Sequence, residues 1–295
     1  MDIRILQIQI KIVIFFGLFL VGIESHSTPP PEYPADDWPS LSALLEDKNL
    51  PITWRDSRGR TISYYYLLYG SEDMAIRQIK KAKKAGNLTD SDVDRLLGAA
   101  IYANAQSAAR FLLSVRNPKS KISLSESGAL IHAASLGRLE MMRLLLNAKV
   151  NLYVSIGGGD AFETAFYSGE SNAANLLVDS GLDISRYKDK KRRDKLFSYA
   201  ISAGRRESLE LLKRNSFDFN FRYENGDTLL ANIIQTNASD KLAEIAVLFG
   251  SNPCNVNAKG ETAKQLVERV HAKTIEYSRP KYISLYEGEF SCKRK

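Results

Sequence analysis

Histidine and cysteine are scarce in this chain, three and two residues respectively in 295. Neither His132 nor His271 has a cysteine or carboxylate beside it at metal-ligand spacing. A G-x-S-x-G nucleophile turn, a phosphate loop and an H-E-x-x-H zinc helix are missing as well. The sequence therefore points away from an enzyme, and no cofactor or metal is expected. The two cysteines, Cys254 and Cys292, are too few for a disulfide scaffold. They either pair in an oxidising compartment, stapling the tail back on the chain, or stay as buried thiols. A strong excess of one charge is absent too, with 41 Lys and Arg against 34 Asp and Glu giving a net +7. One dense basic run stands out, Lys188-Asp-Lys-Lys-Arg-Arg193, and no aromatic-interleaved nucleic-acid motif accompanies it. It reads as a solvated loop or, more sharply, as an attachment point for an acidic protein or a membrane surface.

At 44% hydrophobic and 25% charged, the chain has the composition of a folded protein. Its first 27 residues differ from the rest. Arg4 and Lys11 precede the apolar run Ile12 to Ile23, and small residues follow at Ser25 and Ser27. That order predicts a secretory signal peptide over 1–27, cleaved near Ser27, and a periplasmic or secreted destination. The alternative is an uncleaved anchor, but Gln7 and Gln9 interrupt the stretch, and a spanning helix needs about 20 mostly apolar residues. The membrane is thus a partner only through this leader, if it is retained. Residues 28–52 form a proline-rich leader ending in a short capping helix over Ser40 to Asp47, and a polar tail occupies 271–295.

Between these ends, over 53–270, the chain repeats itself. Six segments end in Gly or Asn at positions 70, 104, 137, 169, 204 and 237, at intervals of 34, 33, 32, 35 and 33 residues. Gly and Asn tolerate the left-handed backbone that closes a helix. Downstream of most stops lies a second apolar cluster at helical spacing, such as Phe111-Leu-Leu113, Leu144-Leu-Leu146 and Leu176-Leu-Val178. Each unit is therefore two short helices. Alanine at 100, 133, 165 and 200 lets the first helices of neighbouring units pack closely, with Tyr66 and Ile233 taking that place in the end units.

These units resemble ankyrin repeats, of the exported bacterial type that carries a leader. The match rests on Asp56-Ser-Arg-Gly59-Arg-Thr61, Leu130-Ile-His-Ala133-Ala134-Ser-Leu-Gly137, Asn225-Gly226-Asp-Thr228-Leu229-Leu230 and Gly260-Glu-Thr262. The proline of the family pattern is absent, and units two, four and five lack the Gly-x-Thr opening, so irregular hairpin tips are expected there. The resemblance implies an all-α solenoid of about six helix pairs plus a C-terminal capping half-unit. It also implies a protein-binding surface made from hairpin tips and the exposed side of the inner helices. By register the inner-helix positions are Tyr69, Tyr102, Leu136, Tyr167 and Ser202. The tips add Trp54, Arg58, Arg60, Tyr153, Tyr187, Lys188, Arg192, Phe221, Arg222 and Tyr223. Aromatics with arginine make good contact residues, though the tyrosines equally fill gaps between helices. Gly157-Gly158-Gly159 reads as a flexible tip rather than a phosphate cradle, and His132 as a structural residue. The expected function is binding of another protein, acidic at its contact surface. By resemblance this is an immunity-type inhibitor sequestering a toxic effector such as a phospholipase; the alternatives are an accessory factor for an envelope enzyme and a host-directed effector.

Overall fold

The computed structural model describes residues 45–46, 51–56, 58–69, 71–117 and 128–275, with the side chains of 271–275 excepted. The leader over 1–27 and the tail beyond 275 lie outside the described residues. Among the described residues there are thirteen α-helices and no strand. They are α1 (Ile62–Tyr69), α2 (Glu72–Lys84), α3 (Asp90–Ala103), α4 (Gln106–Val115), α5 (Ala129–Ser135), α6 (Leu139–Asn147), α7 (Ala161–Tyr167), α8 (Ser171–Asp179), α9 (Lys190–Ala203), α10 (Arg206–Arg214), α11 (Leu229–Gln235), α12 (Asp240–Leu248) and α13 (Ala263–Ile275). A short 3-10 turn, Ile184–Tyr187, precedes α9. None of these helices is long and apolar enough to cross a membrane. The chain divides into two compact parts, Met1–Ala99 and Ala100–Lys295, the division falling inside α3.

In the C-terminal part the helices form two layers. The inner helices α5, α7, α9, α11 and α13 pack each against the next, and the outer helices α4, α6, α8, α10 and α12 do the same. The cause is visible residue by residue. Ala100, Ala133, Ala165 and Ala200 are fully buried, so no side chain separates one inner helix from its neighbour, and Ile233 takes the same buried place in α11. The predicted stops are real: Asn104, Gly137, Gly169, Gly204 and Asn237 all adopt left-handed backbone, with φ between 54° and 73°. Gly70 lies outside the described residues. A second set of left-handed residues, Lys149, Gly181, Ser216 and Gly250, closes the outer helices.

Helix starts are fixed by side-chain caps. The carboxylates of Asp160 and Asp189 accept from the amides of Glu163 and Arg192, and the Thr228 hydroxyl from that of Ala231. Three isolated bridges mark hairpin tips: Arg55 with Thr61, Ile156 with Gly159, and Arg222 with Thr228. Repeat four therefore has a tight tip despite lacking the Gly-x-Thr opening. Gly157 and Gly158 both take positive φ, which a two-residue hairpin turn of this type requires.

In the N-terminal part α1 packs on α2. Thr89 and Asp92 cap the start of α3 reciprocally: the Thr89 amide donates to the Asp92 carboxylate at 2.9 Å and the Asp92 amide to the Thr89 hydroxyl at 3.1 Å. The Tyr66 phenol donates to the carbonyl of Leu45, one of two helical residues described in the expected capping segment.

Candidate protein-binding surface

The residues expected at the surface divide into three groups. In the N-terminal part, the tip is organised by Asp56, whose carboxylate accepts from the amides of Arg58 and Arg60 and from the Tyr65 phenol at 2.7 Å. Burial alone would raise this carboxyl, but the bonds from Tyr65 and Arg60 prevail and hold it below the usual range. The Arg60 guanidinium pairs with Asp56 and lies 5.4 and 5.2 Å from the ring centres of Tyr64 and Tyr65. Trp54 stands edge-on to Tyr65 and is half-buried. Arg60 and Trp54 therefore hold the tip together, while Arg58 and Tyr69 remain exposed.

Three predicted contact residues belong to the core instead. Tyr187, Phe221 and Tyr223 are buried. The Tyr187 ring packs 4.8 Å from Phe162, and its hydroxyl donates to the Asp160 carboxylate at 2.6 Å. Phe221 packs 4.7 Å from Phe197 and 4.9 Å from Tyr223. Phe221 and Tyr223 belong to the run Phe217-Asp-Phe-Asn-Phe-Arg-Tyr223, which turns at 219–220 and whose odd-numbered residues are all buried and whose even-numbered ones are all exposed.

The remaining predicted residues reach solvent. Tyr102 is half-buried and Ser202 exposed. Tyr153 is half-buried under the Arg186 guanidinium at 4.0 Å, its phenol accepting from the Asp183 amide. Arg192 lies over Tyr187 at 5.3 Å, Lys188 over Phe217 at 5.6 Å, and Arg222 donates to the carbonyls of Gly226 and Val256. Leu136 is 37% exposed and Tyr167 67%, the latter a large fraction for a tyrosine inside a packed repeat.

Around Tyr167 the turn Ile156–Gly159, α7 and α9 enclose an open depression of about 200 Å³. Its wall is the Tyr167–Tyr199 pair, edge-on at 5.1 Å. On its floor Lys195 donates to the buried Glu163 carboxylate at 3.0 Å and to the Gly158 carbonyl at 2.8 Å. The glycine tip is thus tied to α9, and its carbonyl is already committed to a cation, the opposite of an anion cradle. With the lysine charge matched by Glu163, the depression is close to neutral. Ile156, 45% exposed, forms its rim. Ile156, Lys195 and Tyr199 were not foreseen. Lys195 and Tyr199 are one helical turn apart on α9, and Tyr199 shares with His132 and Thr164 the place five residues before a stop.

His132 is half-buried, and desolvation lowers its pKa below the ordinary imidazole value. Among the described residues no group of three His, Cys, Asp or Glu side chains could hold a metal ion. A second enclosed space, about 10 Å³ beside Arg55 and Thr61, has room for one water. Cys254 is disulfide-bonded; Cys292, the other cysteine of the chain, lies outside the described residues.

The family comparison agrees with this repeat architecture. Residues 96–188 match the family model for ankyrin repeats in 3 copies. No curated protein sequence matches the chain. Similar solved structures include the ankyrin repeat domain of Bcl-3, of the IkappaB family, at 16% identity over 70% of this chain and 94% of that one, TM-score 0.48. A second is the complex of the predatory endopeptidase Bd0816 of Bdellovibrio bacteriovorus with immunity protein Bd3460, at 20% identity over 60% of this chain and 92% of that one, TM-score 0.47. The human ASB11 ankyrin repeat domain matches at 17% identity over 67% and 99%, TM-score 0.43.

Proposed function

We propose that this ankyrin-repeat chain is an exported inhibitor that binds and blocks an enzyme active outside the cytoplasm, in the manner of an immunity protein. The observation that carries the binding role is the exposure of the large side chains Ile156 and Tyr167 at a neutral depression built on two inner helices and a pinned turn, with Leu136 exposed at the end of the preceding inner helix. Such side chains, rigid and desolvated at low entropic cost, are what a protein interface buries at its centre. A surface that offers contact area and no reactive group acts on an enzyme by occluding it. Export is the role assigned to residues 1–27.

The test is affinity capture from the native cell envelope with residues 28–295, run in parallel with Tyr167→Ala. A protein captured by the native chain and lost with the variant is expected, its affinity falling at least about tenfold. Adding the native chain should then abolish that protein's activity at one-to-one stoichiometry. Activity that rises on addition instead identifies an accessory factor and refutes inhibition. Capture unaffected by Tyr167→Ala refutes the assigned surface.

A further inference from the structure

The N-terminal end of α9 carries charge of the wrong sign for its place in a helix. Over residues 183–195 there are seven cations, Arg186, Lys188, Lys190, Lys191, Arg192, Arg193 and Lys195, against three carboxylates, Asp183, Asp189 and Asp194. The first turn of α9 contains no acidic residue. A helix N-terminus favours anions, so cations gathered there oppose the helix dipole and repel one another. The carboxylates relieve this only in part, because four of the seven cations remain in excess of the three and each carboxylate already has a local partner. Asp183 accepts from the amide and hydroxyl of Ser185, Asp189 from the Arg192 amide, and Asp194 from Arg193 and the Glu224 amide. Arg193 and Lys195 are also committed, to Phe221 and Asp194 in the first case and to Glu163 in the second. What faces outward is Lys190 and Lys191, both exposed, together with exposed Arg186 and Lys188, which rest over the Tyr153 and Phe217 rings, and exposed Arg222, which is bonded to backbone carbonyls; among the described residues none of these five forms an ion pair with a carboxylate.

Stability alone does not explain such a cluster, and we infer that it is a docking surface for a carboxylate-rich segment of the protein partner. The inference rests on the binding role proposed above and adds where the acidic side of the partner lies. The neutral depression at Tyr167 cannot be that place, since Glu163 already answers Lys195. Nucleic acid fits poorly because the aromatics of this region, Tyr187, Phe221 and Tyr223, are buried and offer no stacking platform. A lipid surface fits poorly because residues 186–193 present no exposed apolar side chain to insert. An acidic protein segment needs neither, only complementary charge, which steers encounter and falls off with salt.

The experiment uses fluorescein-labelled decaglutamate as probe, with the purified chain and its Lys190→Glu/Lys191→Glu variant. The variant should lose at least about tenfold in affinity, and binding by the native chain should fall similarly between about 0.05 and 0.5 M NaCl. Its Tm should be unchanged or higher, because Glu suits a helix N-terminus, so lost binding is not misfolding. A control, Lys81→Glu/Lys84→Glu on basic α2, should bind the probe normally. An equal loss in that control reduces the effect to net charge and overturns the inference. Tighter binding to phosphatidylglycerol vesicles than to decaglutamate also overturns it. A captured protein partner that depends on Tyr167 but associates at the same rate with Lys190→Glu/Lys191→Glu overturns this inference and leaves the binding role standing.

Discussion

Tyr187 separates a core role from a surface role in one substitution. Tyr187→Phe keeps the ring against Phe162 and removes only the hydroxyl that donates to Asp160 at 2.6 Å. Asp160 is 4% exposed and its other oxygen is taken by the Glu163 amide, so no water replaces the lost donor. A hydrogen bond to a buried carboxylate is worth about 1.5–3 kcal/mol, and a buried acceptor left short of a partner costs a similar amount. The expected loss is about 2 kcal/mol, read as a Tm about 4–8 °C lower for a domain of this size. Burial and the Asp160 bond together push the Tyr187 phenol well above its ordinary pKa, so it donates throughout the accessible pH range. The assay is thermal and urea denaturation of the native chain, Tyr187→Phe, Asp160→Asn and the double variant, completing a cycle whose coupling energy should exceed about 1 kcal/mol. A loss under about 0.5 kcal/mol for Tyr187→Phe, together with weaker partner binding, would show that the residue works at the surface after all.

Other perturbations follow from local geometry. Lys149 and Ser216 hold left-handed φ of 59° and 58° at outer-helix ends where Gly181 and Gly250 stand in other repeats. Lys149→Gly should therefore stabilise by up to about 1 kcal/mol, measured as a rise in Tm. His132 has its pKa lowered by desolvation, so the stability its neutral form supports is present above about pH 6.5 and is lost as pH falls through the lower folded value. His132→Gln should flatten that acid limb of a stability-against-pH curve. Hydrogen bonds from Arg269 and Asn257 bring the half-buried Glu261 carboxyl down from 4.5 to about 2. Its contribution is complete above about pH 4.5 and disappears as pH falls through about 2, and an NMR titration of Glu261 that shows an ordinary carboxylate midpoint would contradict the pairing.

The repeat was legible because it is written in residues with few substitutes. A helix that must stop in left-handed backbone calls for Gly or Asn, and inner helices in contact call for Ala, so period and layer order follow from the chain. Phe221 and Tyr223 do lie at the hairpin that the resemblance implies, bridged by Arg222 and Thr228, but they are buried there rather than exposed. The pattern was there to be read, because residues 217–223 alternate Phe, Phe, Phe and Tyr with Asp, Asn and Arg, a two-residue period with one buried side. Tyr187 was not legible in this way. Its neighbours are charged, and what draws it inward is Asp160, 27 residues earlier, a partner that local sequence does not announce.

The same long-range logic explains why one tyrosine of the inner-helix register is uncovered when others are not. Tyr102 and Tyr167 both stand two residues before a stop, yet Tyr102 is half-buried and Tyr167 is 67% exposed. In the repeats on either side of Tyr167 the matching positions are Ser135 and Ser202, whose side chains are too short to lie across a phenol ring. Its ring partner is Tyr199, edge-on at 5.1 Å, and two thirds of the Tyr167 surface stays open to solvent. A larger apolar residue at 202, in the same register on the next inner helix, would cover more of the ring. Ser202→Leu should therefore lower partner affinity without touching Tyr167, and normal binding by that variant would show that the ring is not the contact.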